Sequence, residues 1–166
     1  MKLLPLQWAA VVVIAIDAIV LVSGALTGAA LLPAGANLVL VLTGVALLVV
    51  LIVQTGGGLR LDGLATLFRL LRETLPKWAI ALAAVAFYGG WLVAFVSLSS
   101  DSVAGNLKYE NGKYTTSERK VVRELTREQY EAALTANQRA WAGFSLAFAG
   151  GTLGFAGIAR RIKENS

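Results

Sequence analysis

Uncharged apolar runs dominate the chain and mark its helices. From Leu3 to Leu59 the only charged residue is Asp17, and Trp78–Ser100 and Ala140–Ala159 carry no charge at all. A helix rises about 1.5 Å per residue, so each of the two later runs is long enough to cross a hydrocarbon layer of about 30 Å. The first run is too long for one crossing. It breaks at Leu32-Pro33-Ala34-Gly35-Ala36-Asn37, where proline and glycine end one helix and Asn37 can cap the next. The pattern predicts helices over 6–31, 37–55, 77–99 and 140–162. A cleaved signal peptide is the other reading of the first. It fits less well, because the apolar run is long, an acid interrupts it, and no A-x-A site follows.

Between the second and third spans, Leu64, Leu67, Phe68, Leu71 and Leu75 recur at helical spacing, with Arg69, Arg72 and Glu73 off that stripe. Asp62 can cap this stretch and Pro76 stops it. Residues 59–76 therefore read as an amphipathic connector in the membrane interface. Gly56-Gly57-Gly58 lacks the Gly-Lys-Ser/Thr of a phosphate loop and reads as a hinge.

Residues 100–139 are the one sizeable polar segment. Asn111-Gly112 sits between the strand-prone runs Leu107–Glu110 and Lys113–Thr116, which is a strong hairpin signal. That register sets Glu110 opposite Lys113 and Tyr109 opposite Tyr114, and Lys120–Leu125 can add a third strand. Thr126-Arg127-Glu128-Gln129 matches a capping box. The helix begun there is expected to run unbroken into the last span, with Tyr130, Ala133, Leu134, Asn137 and Trp141 on the face that receives the hairpin. The fold expected is an all-α membrane protein: a four-helix transmembrane bundle with a small extracytoplasmic hairpin-and-helix cap. Its parts are helices 1–3 in 1–99, the cap in 100–139, and helix 4 with its tail in 140–166.

Composition agrees with this solvent. Of 166 residues, 57% are hydrophobic and 15% charged, against about a quarter charged in soluble domains. The net charge of +5 then speaks for anionic lipid rather than nucleic acid. Basic residues are split almost evenly between the two sides. Their position decides the orientation: helix 4 ends directly on Arg160-Arg161, whereas only Arg139 lies beside the membrane on the other side. Both termini are expected to be cytoplasmic, in a bacterial inner membrane.

Candidate chemistry is sparse. Cysteine and histidine are absent, which removes thiol catalysis, iron–sulfur ligation, histidine-ligated metals and histidine-based triads. No cofactor or metal site is expected, and no enzyme activity. Asp17 near the middle of helix 1 is the residue to explain, since an ionised acid there costs roughly 2.5–3.5 kcal/mol on insertion scales. Three readings compete: a protonated acid bonded to a neighbouring helix, a pair with a cation from another subunit, or a proton or cation carrier. Thr43, Tyr88 and Thr152 are its candidate partners at similar depth. Small residues, adjacent or at four-residue spacing, offer close helix contacts: Gly24 and Gly28, Gly89 and Gly90, and Gly150, Gly151 and Gly154. They serve either packing within one bundle or the binding of another protein or a flat cofactor.

The run Asn111-Gly112-Lys113-Tyr114, Val122–Thr126, Glu128-Gln129-Tyr130 and Arg139 before a final span resembles a pattern in small bacterial four-helix integral membrane proteins with a hairpin-bearing loop before the last span. The resemblance covers about a third of the chain and implies a bacterial membrane origin, with no activity attached. Where many such proteins carry a Ser-Gly-His-Trp-like element, this chain has Trp141-Ala142-Gly143-Phe144-Ser145.

Two function classes follow. One is a non-catalytic membrane subunit or scaffold that docks a membrane-protein partner through its small-residue faces and a cap surface of Tyr109, Asn111, Gly112, Tyr114 and Tyr130. The other is a small homo-oligomeric transporter or pore around Asp17.

Overall fold

A computed structural model describes residues 3–55, 64–99, 106–110, 112–118 and 121–164. The chain is mostly helical. Its order is α1 (Pro5–Thr27), α2 (Ala34–Thr55), α3 (Leu64–Thr74), α4 (Lys77–Ser99), β1 (Asn106–Glu110), β2 (Lys113–Glu118), β3 (Val121–Leu125) and α5 (Arg127–Glu164). Four of these, α1, α2, α4 and α5, are long and apolar enough to cross a membrane.

Local chemistry sets the helix ends. Pro5 opens α1, where its missing N–H costs nothing, and the Leu4 N–H donates to Gln7 Oε1 at 2.8 Å. The end of α1 differs from the expectation. Gly28 adopts φ +67° and its N–H returns to Gly24 O at 3.2 Å, so the helix stops at Thr27 rather than at residue 31. Asn37 does not cap α2, which begins at Ala34 directly after Pro33; Asn37 lies buried in its first turn. The connector helix α3 is described over Leu64–Thr74; residues 56–63, with Asp62 and Gly56-Gly57-Gly58, lie outside the described residues. Pro76 separates α3 from α4 and accepts from the N–H groups of Ala79 and Ile80.

Helix α5 is the hub. Its 38 residues span about 57 Å, more than a bilayer core needs, so one end extends beyond the apolar belt. Helices α1, α2 and α4 each pack chiefly on α5, and α1 and α2 touch each other sparingly. Two stripes on α5 make this possible. Gly143, Ala147 and Gly150 face α4, and Ala142, Ser145, Ala149, Thr152 and Ala156 form a second buried stripe at alternating spacings of three and four. A Cβ on Gly90 would lie 2.6 Å from the Ala147 N and the Gly143 O, and one on Gly150 would lie 2.6 Å from the Phe87 N. The α4 and α5 backbones are therefore in contact, where only glycine fits. Trp91 closes the flank of this seam, stacked on Phe95 at 5.5 Å and edge-on to Phe144 at 5.6 Å. The outward faces of α1, α2 and α4 are apolar: Ile19, Leu26, Val53 and Val85 are all largely exposed.

At the extended end of α5 stands a three-stranded antiparallel sheet in the order β1-β2-β3. Its register sets Tyr109 against Tyr114 and Glu110 against Lys113, with Gly112 at φ +76°. The third strand is present, so the cap is a sheet rather than a lone hairpin. The charge pairing differs from the simple cross-strand reading. Lys113 pairs with Glu124 on β3, and Glu110 takes Lys108 of its own strand at 3.6 Å. The capping box forms: Thr126 Oγ1 accepts from the Gln129 N–H at 3.2 Å, and the Thr126 N–H donates to Gln129 Oε1 at 3.0 Å. Tyr114 bridges the sheet to α5, with ring centroids 4.6 Å from Tyr109 and 4.9 Å from Tyr130.

Candidate functional site

The polar side chains buried within the bundle gather along the seam where α1 and α2 meet α5. Their placement follows from the hub. Gln7, Ala10, Val13, Ile14, Asp17, Val20 and Gly24 form the buried stripe of α1, and it runs antiparallel to α5: Gln7 Nε2 donates to Leu153 O at 3.4 Å, and Arg139 Nη2 to Gly24 O at 2.9 Å. Helix α2 runs parallel to α5, with Ser145 Oγ donating to Leu40 O at 3.0 Å and Gly44 set against Ser145. The first turns of α1 and the last turns of α5 share one end of the bundle; the sheet marks the other.

Near the sheet end this seam is polar and well bonded. Leu32 N–H donates to Gln138 Oε1 at 3.1 Å, and Thr135 Oγ1 donates to Glu131 O at 2.9 Å. Arg139 lies at the C-terminus of α1, where a cation favours the carbonyl end of the helix dipole. Toward the other end the same seam is mostly apolar, with Ala10, Val13, Ile14, Leu51, Ala149 and Ala156 buried.

Asp17 sits between these two halves. It is 0% exposed, and neither carboxyl oxygen has a hydrogen-bond partner among the described residues. The polar side chain that faces it is Ser145, whose hydroxyl also lies 3.0 Å from the Leu40 carbonyl oxygen. Asn37, less than one turn from Leu40 toward the sheet, is 3% exposed with Oδ1 unpartnered, and Arg139 Nε is buried without a partner too.

The partners proposed for Asp17 from its depth are elsewhere. Thr43 is exposed on α2 and bonds its own Val39 carbonyl at 2.8 Å. Tyr88 is 72% exposed on α4. Thr152 is buried but lies seven residues beyond Ser145, about 10 Å along the helix. Sequence reasoning counted depth from the ends of a 140–162 helix, whereas the contacts of α5 offset it against α1. The residues it passed over here are Ser145 and Asn37. The three-and-four spacing of Gln138, Ala142, Ser145, Ala149 and Thr152 was the signal that could have found Ser145.

The small residues divide. Gly90 and Gly150 lie in the α4–α5 contact, and Gly151 and Gly154 meet Phe87 and Ala83 at ordinary distances. Gly89 has nothing within 4 Å of its Cβ position. Gly24 and Gly28 are not a helix-contact pair; they form the end of α1. Gly150, Gly151, Gly154 and Tyr88 also line an apolar groove of about 200 Å³ between α3, α4 and α5. In the cap, Tyr109 is 57% exposed while Tyr114 and Tyr130 are half-buried. Gly112 is exposed in the turn, and Asn111 lies outside the described residues.

Comparison with known protein families, curated proteins and solved structures finds no match to this chain. The functional reading therefore rests on the geometry.

Proposed function

We propose that this chain is a multi-pass membrane protein of the bacterial inner membrane, with both termini cytoplasmic, and that it acts as a non-catalytic subunit or scaffold. It docks a membrane-protein partner through the sheet. One observation carries this reading: the sheet stands on an extension of the central helix, fixed by Tyr114 on Tyr130, yet leaves Tyr109 uncovered on that face and Val122 (65% exposed) uncovered on the opposite face. Exposed aromatic and aliphatic side chains on a well-anchored surface are what a docking face presents. Two further facts support it. The tightest small-residue contacts are used up between α4 and α5, which leaves the sheet as the better candidate for recognition than those faces. Asp17 is enclosed within one chain, whereas a pore shared between copies would need it on an outer face.

The test is photo-crosslinking in native membranes from positions 109 and 122, with Leu26 on the lipid-facing side as control. A discrete adduct from the sheet positions, accompanied by a hetero-complex of defined mass in mild detergent, supports the reading. Adducts only to a second copy of this chain, with a closed homo-oligomer in detergent, would return the pore reading. Tags on both ends, probed for access from each side, test the orientation.

A further inference from the structure

Helix α3 packs on the half of α5 that lies away from the sheet, with Leu71 and Thr74 against Gly154 and Gly157. An apolar groove of about 200 Å³ remains between α3, α4 and α5. Helix α5 contributes Gly151 and Gly154 to it, α4 contributes Ala84 and Tyr88, and α3 contributes Phe68 and Leu71. Phe68, Ala84 and Tyr88 are exposed, so the groove opens sideways, toward lipid.

Two observations say what fits it. The first is length. Lys77 shares one face of α4 with Ala84 and Tyr88, at spacings of seven and four. From Lys77 to Tyr88 the helix rises about 16 Å, half of a hydrocarbon layer of about 30 Å. Trp78, beside Lys77, is 52% exposed, as aromatic side chains at the membrane surface are. The groove therefore reaches from the interface to mid-depth, the span of a lipid tail in one leaflet. A protein helix is about 10–12 Å across with its side chains and would lie over a groove of this volume, not in it.

The second is charge. Lys77 stands at the outer end of the α4 wall, and Arg72 lies one turn beyond Phe68 on α3. Both are exposed, as is Arg69, and none of them pairs with an acid among the described residues. Glu73, the acid between them, is held by Arg161 at 3.5 Å. Uncompensated cations at headgroup height beside an apolar slot are complementary to an amphiphile with an anionic head.

We propose that the groove between α3, α4 and α5 binds one acidic phospholipid, with an acyl chain along Ala84 and Tyr88 and its phosphate among Lys77, Arg72 and Arg69.

Apolar contact alone gives little preference, because the surrounding tails are as apolar as the groove. Selectivity comes from the cations, each worth about fivefold beside anionic lipid, and the groove fixes where the lipid sits. The site rests on the membrane part of the proposed function and is independent of docking at the sheet.

The experiment uses the full chain in phosphatidylcholine nanodiscs with a trace of phosphatidylglycerol that carries a photoreactive diazirine on its acyl chain. Peptide mass locates the adducts, and phosphatidylcholine with the same diazirine is the reference. The acidic probe should mark residues 80–88 and 150–155, and unlabelled phosphatidylglycerol should suppress those adducts while leaving adducts at lipid-facing Leu26 unchanged. The reference probe should mark the exposed faces without preference. Arg72→Gln and Lys77→Gln should each raise the suppressing mole fraction about fivefold, and about thirtyfold together. Lys113→Gln, in the sheet, should not change it. Groove adducts that unlabelled phosphatidylglycerol does not suppress overturn the proposal, as do acidic-probe adducts spread evenly over the spans. Glutamine variants that fold and respond like the parent overturn it too, and so does a neutral apolar molecule that co-purifies in the groove and shuts out both probes. Failure of both probes to label any span overturns the membrane reading itself, which separates that outcome from loss of the site alone. The wild-type measurement does not depend on any variant folding.

Discussion

Arg139 donates from Nη2 to the carbonyl oxygen of Gly24 at 2.9 Å, which joins the central helix to the last turn of α1. The bond gives the Gly24 carbonyl, which also accepts from the Gly28 N–H, a second donor, and it places a cation at the negative end of that helix. Arg139→Leu should therefore loosen α1 from α5 at the sheet end, at a cost of about 1–3 kcal/mol. Reversible unfolding in mixed micelles measures this. A change below half a kcal/mol would mean that solvent or headgroups replace the arginine freely.

Two adjacent glycines should behave in opposite ways. Gly90→Ala puts a Cβ 2.6 Å from the backbone of α5, whereas Gly89→Ala meets nothing within 4 Å. The first should destabilise by about 1–3 kcal/mol, as overpacking does. The second should be neutral, or up to about 1 kcal/mol stabilising through helix propensity. Equal effects on the melting temperature would contradict the backbone contact between α4 and α5.

Much of this fold was legible in the sequence, and the reasons are physical. The span of α4, the strand register at Tyr109 and Tyr114, the Thr126 capping box and the unbroken α5 all depend on local patterns, which a single sequence contains. The neighbours of Asp17 depend on how α1 and α5 are offset along each other. That offset is set by where glycines let backbones meet and by the cap that Gly28 places on α1, so depth counted from helix ends named Thr43, Tyr88 and Thr152 instead of Ser145. Gly24 and Gly28 show the same limit: a spacing of four fits a packing motif and a helix end equally, and only the positive φ separates them.

In the sheet, the Glu124 carboxylate beside Lys113 raises the lysine pKa above its usual 10.5, through their hydrogen bond first and their charge second. A lysine raised in the folded state contributes stability that is fully present below the unfolded pKa and is lost as pH rises through the folded value. The pair is exposed, so its weight is small, and its effect lies at the alkaline edge, above about pH 10.5. Glu124→Gln should bring the Lys113 titration, followed by NMR at its side-chain carbon or nitrogen, back toward the ordinary midpoint. An unchanged midpoint would mean that the pair does not persist in solution.

Tyr114 links the sheet to the bundle through two ring contacts, each worth about 0.5–1.5 kcal/mol beyond the area it buries. Tyr114→Ala should free the sheet while leaving the span contacts intact. The expected result is faster proteolysis between residues 100 and 126, with little change in the melting of the apolar helices. If the whole chain melted earlier instead, the sheet would be part of the bundle's cooperative unit.

Asp17→Leu offers the sharpest comparison with Asp17→Asn. A fully buried carboxyl with both oxygens unpartnered lowers stability, and an apolar residue of similar volume removes that cost. At neutral pH, Asp17→Leu should therefore be more stable than the parent, by about 1–3 kcal/mol in reversible micelle unfolding. Asp17→Asn retains a polar group in the same place and should gain less. A leucine variant less stable than the parent in every buffer would mean that the acid is already satisfied within the chain, and that the seam is structural.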